Sequence, residues 1–142
     1  MKLEFSAGGI VVKKEGNKIS VLICQHSRYN HLGFPKGHIG DKIKGETKEQ
    51  AAVREVKEET GAEAVILKEL KPITYFYTFE GEKRKKTVYF FLMKYRGGDI
   101  TKHDFETEKV EWIPAPDVVK VITYKDEKEA FIESQKYFEI LI

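Results

Sequence analysis

Three carboxylates in this sequence are spaced for work on a divalent cation. In REVKEETG, Glu55, Glu58 and Glu59 stand at i, i+3 and i+4. A helix turns such positions onto one face, with neighbouring Cβ atoms roughly 5–6 Å apart. Like charges so placed repel, and they stand near a helix C-terminus, where the macrodipole disfavours negative charge. A hard cation resolves both conflicts, because Mg²⁺ takes oxygen ligands and bridges carboxylates to substrate phosphates. The competing reading is a solvated charged face on a chain rich in lysine and glutamate.

A helix must carry these groups, and its ends are written in the sequence. Thr47 is the expected N-cap with Gln50 at N3, the capping-box spacing, and Gly61 is the expected stop. Ala52, Val53 and Val56 form the side expected to pack on a sheet, with small Ala51 on the acidic face. Upstream, GFPKGHIGDKIKGE offers two glycines, Gly37 and Gly40, from which a phosphate-handling loop can be counted toward Glu46. The whole stretch from Ser27 to Gly45 reads as a long loop, and such loops in compact domains are usually functional.

The flanking elements read as strands. LEFSAGGIVVKK and NKISVLICQHS predict a β-hairpin. AEAVILKELKPITYFYTF, RKKTVYFFLMKYR and TEKVEWIP are also strand-like, the first two separated by the charged turn EGEKRKK. A short helix is expected after Pro114 or Pro116, and a last one starting at Asp126 with Phe131, Gln135, Phe138 and Leu141 or Ile142 along one side. This order predicts one domain over residues 1–142, a mixed sheet with helices on its faces.

Composition narrows the class. The net charge of +2 argues against a general nucleic-acid binder, so any basic site must be local. The single cysteine, Cys24, has no internal partner and reads as a buried strand thiol. Neither a secretory apolar region nor a membrane-length run is present, so a reducing cytoplasm is the expectation.

From Gly40 the chain resembles the Nudix signature, G-x5-E-x7-R-E-U-x-E-E-x-G-U with U aliphatic or small. The match falls on Gly40, Glu46, Arg54, Glu55, Val56, Glu58, Glu59, Gly61 and Ala62. The resemblance implies the Nudix fold, an α/β/α sandwich around a central mixed sheet. It also implies hydrolysis of a nucleoside diphosphate linked to another group, with Mg²⁺ or Mn²⁺. On this resemblance Glu55 and Glu59 are the principal metal ligands, Glu58 a further ligand or the base, and Arg54 the group that orients a carboxylate. Glu46 lies close to the metal.

FSAGGIVV, FPKGH, ITYFYTF, KKTVYFFLMKY, EWIP and TYKDEKEAF resemble one subgroup, the asymmetrical diadenosine tetraphosphate hydrolases. That implies cleavage to ATP and AMP, with adenine stacked between Tyr77 and Tyr124. It also implies phosphate contacts from Lys36, His38 and Lys86, joined by His31, and a late ligand or base at Glu106, with Glu108 the competing choice. The competing readings are Tyr77 as core, Tyr124 as a helix staple, and Lys86 as a solvated hairpin tip. Nucleotide is the expected partner, with no membrane or nucleic acid, for a monomer or homodimer. Other Nudix specificities (RNA 5′ ends, ADP-ribose, inositol pyrophosphate) and a non-catalytic nucleotide sensor are the alternatives. Subgroup members count from the glycine beside histidine, so PKGH is expected to handle metal and phosphate, and GDK to be an insertion bulging away.

Overall fold

A computed structural model describes residues 1–26 and 30–142; of the expected long loop, Ser27, Arg28 and Tyr29 lie outside the described residues. The strands are β1 (Lys2–Glu15), β2 (Lys18–His26), β3 (Leu32–Gly33), β4 (Lys36–His38), β5 (Ala62–Glu69), β6 (Ile73–Phe79), β7 (Glu82–Gly98) and β8 (Thr107–Pro114). The helices are α1 (Lys48–Thr60), α2 (Val118–Val121), α3 (Lys125–Gln135) and α4 (Phe138–Leu141), with a 3₁₀ turn at Ala115–Asp117. The strand path runs β3-β2-β1-β7-β5, with β4 paired to β1, β6 to β7 and β8 to β2. β1 and β7 are parallel; the other pairs are antiparallel.

Alternation along the central strands divides the core in two. Ile10, Val12, Val88, Phe90 and Leu92 join Val118, Ile122, Ala130 and Phe131 on one side of the sheet. Ala7, Val11, Phe91 and Met93 join Ala51, Ala52 and Val56 of α1 on the other. The expected α/β/α sandwich is what forms. A central strand covered on both faces needs an unbroken apolar run, and GIVV supplies it.

Several local expectations give way to packing. Val53 is exposed and Ala51 is sealed, so α1 is rotated from the expected packing side toward the sheet. The stretch 62–79 is two strands, broken where Leu70 dives into the core. The turn after β6 is only Glu80–Gly81, both at positive φ, and the charged residues that follow belong to β7. That two-residue geometry matches the twist of paired strands better than a longer loop. The loop before α1 contains β3 and β4. The last helix begins at Lys125 and breaks after Gln135, which is exposed, while Glu127, Ala130, Phe131 and Ser134 face inward. Among the described residues no helix is long and apolar enough to cross a membrane.

Candidate active site

The capping box at Thr47 and Gln50 forms, and Gly61 ends α1 in the left-handed region at φ 80°. Between these stops, Glu55 and Glu59 are 8% and 4% exposed, which rules out a solvated face. Arg54 organises the cluster. Its Nε and Nη2 donate to Glu46 at 2.6 and 2.9 Å, and its Nη1 donates to Glu55 at 2.7 Å and Glu58 at 3.0 Å. Nη2 also donates to the His38 carbonyl at 3.2 Å. Five contacts from one planar guanidinium fix the loop to the helix.

The carboxylates sit in unequal environments. Burial pushes Glu59 up to about 8, opposed by the Lys36 amide that donates to it at 3.0 Å. Burial also raises Glu55, against the pull of Arg54. Burial acts on Glu58 too, but Lys42, donating at 2.7 Å, and Arg54 hold it below the usual range. The Arg54 hydrogen bonds keep Glu46 low.

Gly37 and Gly40 do different jobs. A Cβ on Gly37 would lie 2.1 Å from the Glu55 carboxyl carbon, so any other residue there would displace that carboxylate. Gly40 turns at φ +81° with open space where a Cβ would be, and its amide donates to Glu46 at 3.1 Å. Asp41, Lys42, Ile43, Lys44 and Gly45 are exposed beyond it.

A cavity of about 500 Å³ lies on the face opposite α1, lined by His26, His31, Lys36, Tyr75, Lys86, Tyr124 and Glu127 around Ile73, Val88 and Phe90. Strand β4 joins it to the carboxylates: Gly37 turns toward Glu55 while Lys36 lines the cavity. Tyr124 bonds His31 through its hydroxyl, their rings edge-to-face at 4.9 Å. Lys86 is no hairpin tip; burial, then Lys36, lowers its pKa. His38 is exposed, paired with Ser6, and is not among the residues that line the cavity.

Tyr77 is not a cavity wall. It bonds Glu4 through its hydroxyl, next to Arg84, and Tyr75 is the β6 tyrosine that lines the cavity together with Tyr124. Glu106 is exposed on the loop before β8. The residue of that loop tied to α1 is Asp104, whose amide donates to the Glu58 carbonyl at 3.0 Å. Its Oδ1 is buried with no hydrogen-bond partner among the described residues, and its charge helps raise Glu59. Tyr75 and Glu127 in the cavity lining and Asp104 beside the end of α1 are candidate residues that no motif or period in the sequence singles out.

Whether a metal fits can be asked of the donors present. Among the described residues no group of three or more His, Cys, Asp or Glu side chains converges as a ready cluster, and Glu58 is engaged with Lys42 and Arg54. Glu55 and Glu59, buried one turn apart on α1, nevertheless supply hard oxygen donors. That set suits a divalent cation.

Comparison with known proteins assigns a family to this sandwich with its arginine-gathered carboxylate helix and separate cavity. The family model described as NUDIX domain matches residues 3–135; the chain belongs to the Nudix family. Nudix hydrolases act on nucleotide substrates and generally use a divalent metal.

Among individual relatives, the MutT4 protein of Mycobacterium tuberculosis is 37% identical over 88% of this chain, which spans 52% of that protein. An 8-oxo-(d)GTP phosphatase of Mycolicibacterium smegmatis is 33% identical over 78% of the chain, which spans 32% of it. The chain thus covers about half or less of these two. The asymmetrical bis(5′-nucleosyl)-tetraphosphatase of Caenorhabditis elegans is 32% identical over 85% of this chain and 86% of its own. The solved structure of a C. elegans Ap4A hydrolase binary complex superposes with a TM-score of 0.78 at 27% identity, covering 96% of this chain and 98% of that one.

Proposed function

We propose that the protein hydrolyses dinucleoside polyphosphates, diadenosine tetraphosphate foremost, to ATP and AMP by water attack at phosphorus. One observation carries this reading: Lys36 belongs at once to the cavity and, through its amide, to Glu59. A nucleoside held between Tyr75 and Tyr124 therefore has its phosphate chain running past Lys36 toward the α1 carboxylates. Near full-length similarity to the C. elegans enzyme supports the substrate class.

Glu55 and Glu59, with Asp104 close by, are the residues to hold Mg²⁺ or Mn²⁺. A divalent cation there supplies positive charge to phosphate oxygens and eases deprotonation of water. Arg54 keeps Glu46, Glu55 and Glu58 at fixed positions, so little reorganisation is left for the reaction itself. Glu58, held ionised by Lys42 and Arg54, is better placed than exposed Glu106 to accept the proton from water. Lys36, Lys86 and His38, with His31 at the rim, stabilise charge along the phosphates and present the leaving group. Tyr75, rather than Tyr77, pairs with Tyr124 on the base.

The second reading, hydrolysis of oxidised nucleoside triphosphates, is favoured by the similarity to the 8-oxo-(d)GTP phosphatase of Mycolicibacterium smegmatis. A product-resolved panel with Mg²⁺ separates them: diadenosine tetraphosphate, 8-oxo-dGTP, ADP-ribose, 5′-triphosphorylated RNA and an inositol pyrophosphate. The proposal predicts highest kcat/KM on diadenosine tetraphosphate with ATP and AMP in equal amounts. A clear preference for 8-oxo-dGTP supports the second reading, and no turnover of any of them supports a sensor.

A further inference from the structure

Glu127 belongs to no part of the hydrolytic centre, yet it is 5% exposed and fully engaged. One carboxylate oxygen accepts the Phe34 amide at 2.9 Å, and the other accepts Lys36 Nζ at 3.1 Å. It packs so closely on β3 that a Cβ on Gly33 would stand 2.4 Å from its Oε1. Just before α3, the Thr123 amide donates to the Leu32 carbonyl at 2.9 Å, and its hydroxyl accepts the Leu32 amide at 3.0 Å. Tyr124, the cavity wall, lies between these two attachments. Segment 32–36 is therefore fastened to the start of α3 on both sides of that tyrosine.

Lys36 extends the fastening to the far face of the sheet. Its ammonium sits on Glu127 while its amide donates to Glu59 at 3.0 Å. Burial works to lower the Lys36 pKa, and Glu127, with smaller help from Tyr75 and Glu59, turns the net shift upward. A buried pair of this kind is costly to break from one side, because the remaining charge is left uncompensated.

We infer that Glu127 is a positioning residue: by holding Lys36 it keeps the Glu59 carboxylate and the Tyr124 wall in register, so that a seated nucleoside presents its phosphates to α1 at a fixed distance. The inference rests on the reading of Glu59 as a hydrolytic carboxylate and of the cavity as a nucleoside site. Its effect falls on the reacting geometry more than on binding, since a displacement of an ångström can cost about a hundredfold in rate. A merely structural Glu127 would instead lower stability and leave the kinetic constants of the folded fraction alone.

The test uses Glu127→Gln, which keeps the shape and the Phe34 acceptor but removes the charge. Three results are expected: kcat falls at least roughly tenfold, KM shifts less than about threefold, and the Lys36 amide exchanges hydrogen roughly tenfold faster. Combined with Lys36→Ala, the two losses should fall well short of multiplying, as for residues acting as one unit. Glu127→Asp, which retains charge but not reach, should lie between wild type and Glu127→Gln and serves if the glutamine variant does not fold. Unchanged kcat with an unchanged Lys36 amide, or losses that multiply, would overturn the inference. The kinetics are run on whichever nucleotide the wild type prefers, and the exchange needs no turnover. A wrong substrate assignment therefore shows in the panel, and a wrong role for Glu127 shows in the exchange and the cycle.

Discussion

The acidic face of α1 and the cavity on the other side of the sheet are built in opposite ways. On α1, Arg54, Glu55, Glu58 and Glu59 come from a single helical stretch with a formed capping box and a left-handed stop. Their arrangement follows from a 3.6-residue period and one arginine. The cavity draws His26 from β2, Lys36 from β4, Tyr75 from β6, Lys86 from β7, and Tyr124 and Glu127 from the start of α3. Here tertiary register alone decides who meets whom. Chemistry common to a family can be stored in the first kind of site. Choice of substrate can be altered in the second kind without disturbing the first.

Substitutions can break this division. Gly37→Ala strikes the joint, where an added Cβ would overlap the Glu55 carboxylate. It should lower kcat on the order of a hundredfold with any substrate, measured alongside thermal stability to exclude unfolding. Tyr75→Ala with Tyr124→Ala should act on the cavity only. Base stacking is worth roughly 1–3 kcal/mol, so KM for a nucleotide should rise about tenfold or more while an inorganic polyphosphate is hydrolysed as before. Tyr77→Phe removes a hydroxyl bonded to Glu4 and should change KM less than about twofold on the same substrates; a larger rise would return Tyr77 to the wall.

A last effect is on stability, not on turnover, and concerns Glu59 in metal-free protein. Its folded pKa of about 8 lies above the usual carboxylate value. The stability of its protonated form is complete below the unfolded pKa and is lost as pH rises through the folded one. Glu59→Gln cannot ionise, so it should match wild type near pH 4 and exceed it above pH 8 by on the order of a few kcal/mol. Denaturant unfolding in chelator reads this directly.

What could be read from the sequence follows the same division. The cap at Thr47, the stop at Gly61 and the carboxylate spacing are local, so composition and period disclose them. Tyr75 and Tyr77 differ by two positions and share a strand face, so alternation cannot separate them. Only the pairing does: Tyr75 stands opposite Lys86, and Tyr77 opposite Arg84. Lys86 shows the converse, since one step of register distinguishes a cavity lysine from the outward Lys85. Asp104 was hidden because its loop has no period, and the acidic run after it drew attention to Glu106 and Glu108. At Val53 shape outweighs hydrophobicity: the valine stays exposed while Ala51 is sealed. Small Ala51 and Ala52 are what allow the helix close to the sheet.

In the proposed function, buried carboxylates on α1 carry out the chemistry on a nucleotide seated elsewhere. Glu59→Gln separates the two when turnover and nucleotide affinity are measured on one folded sample with Mg²⁺ present. The expected result is that kcat falls roughly 10²–10³-fold or more, while affinity for an adenine nucleotide in the cavity stays within a few fold. Near-normal turnover, or an equal collapse of binding, would contradict it.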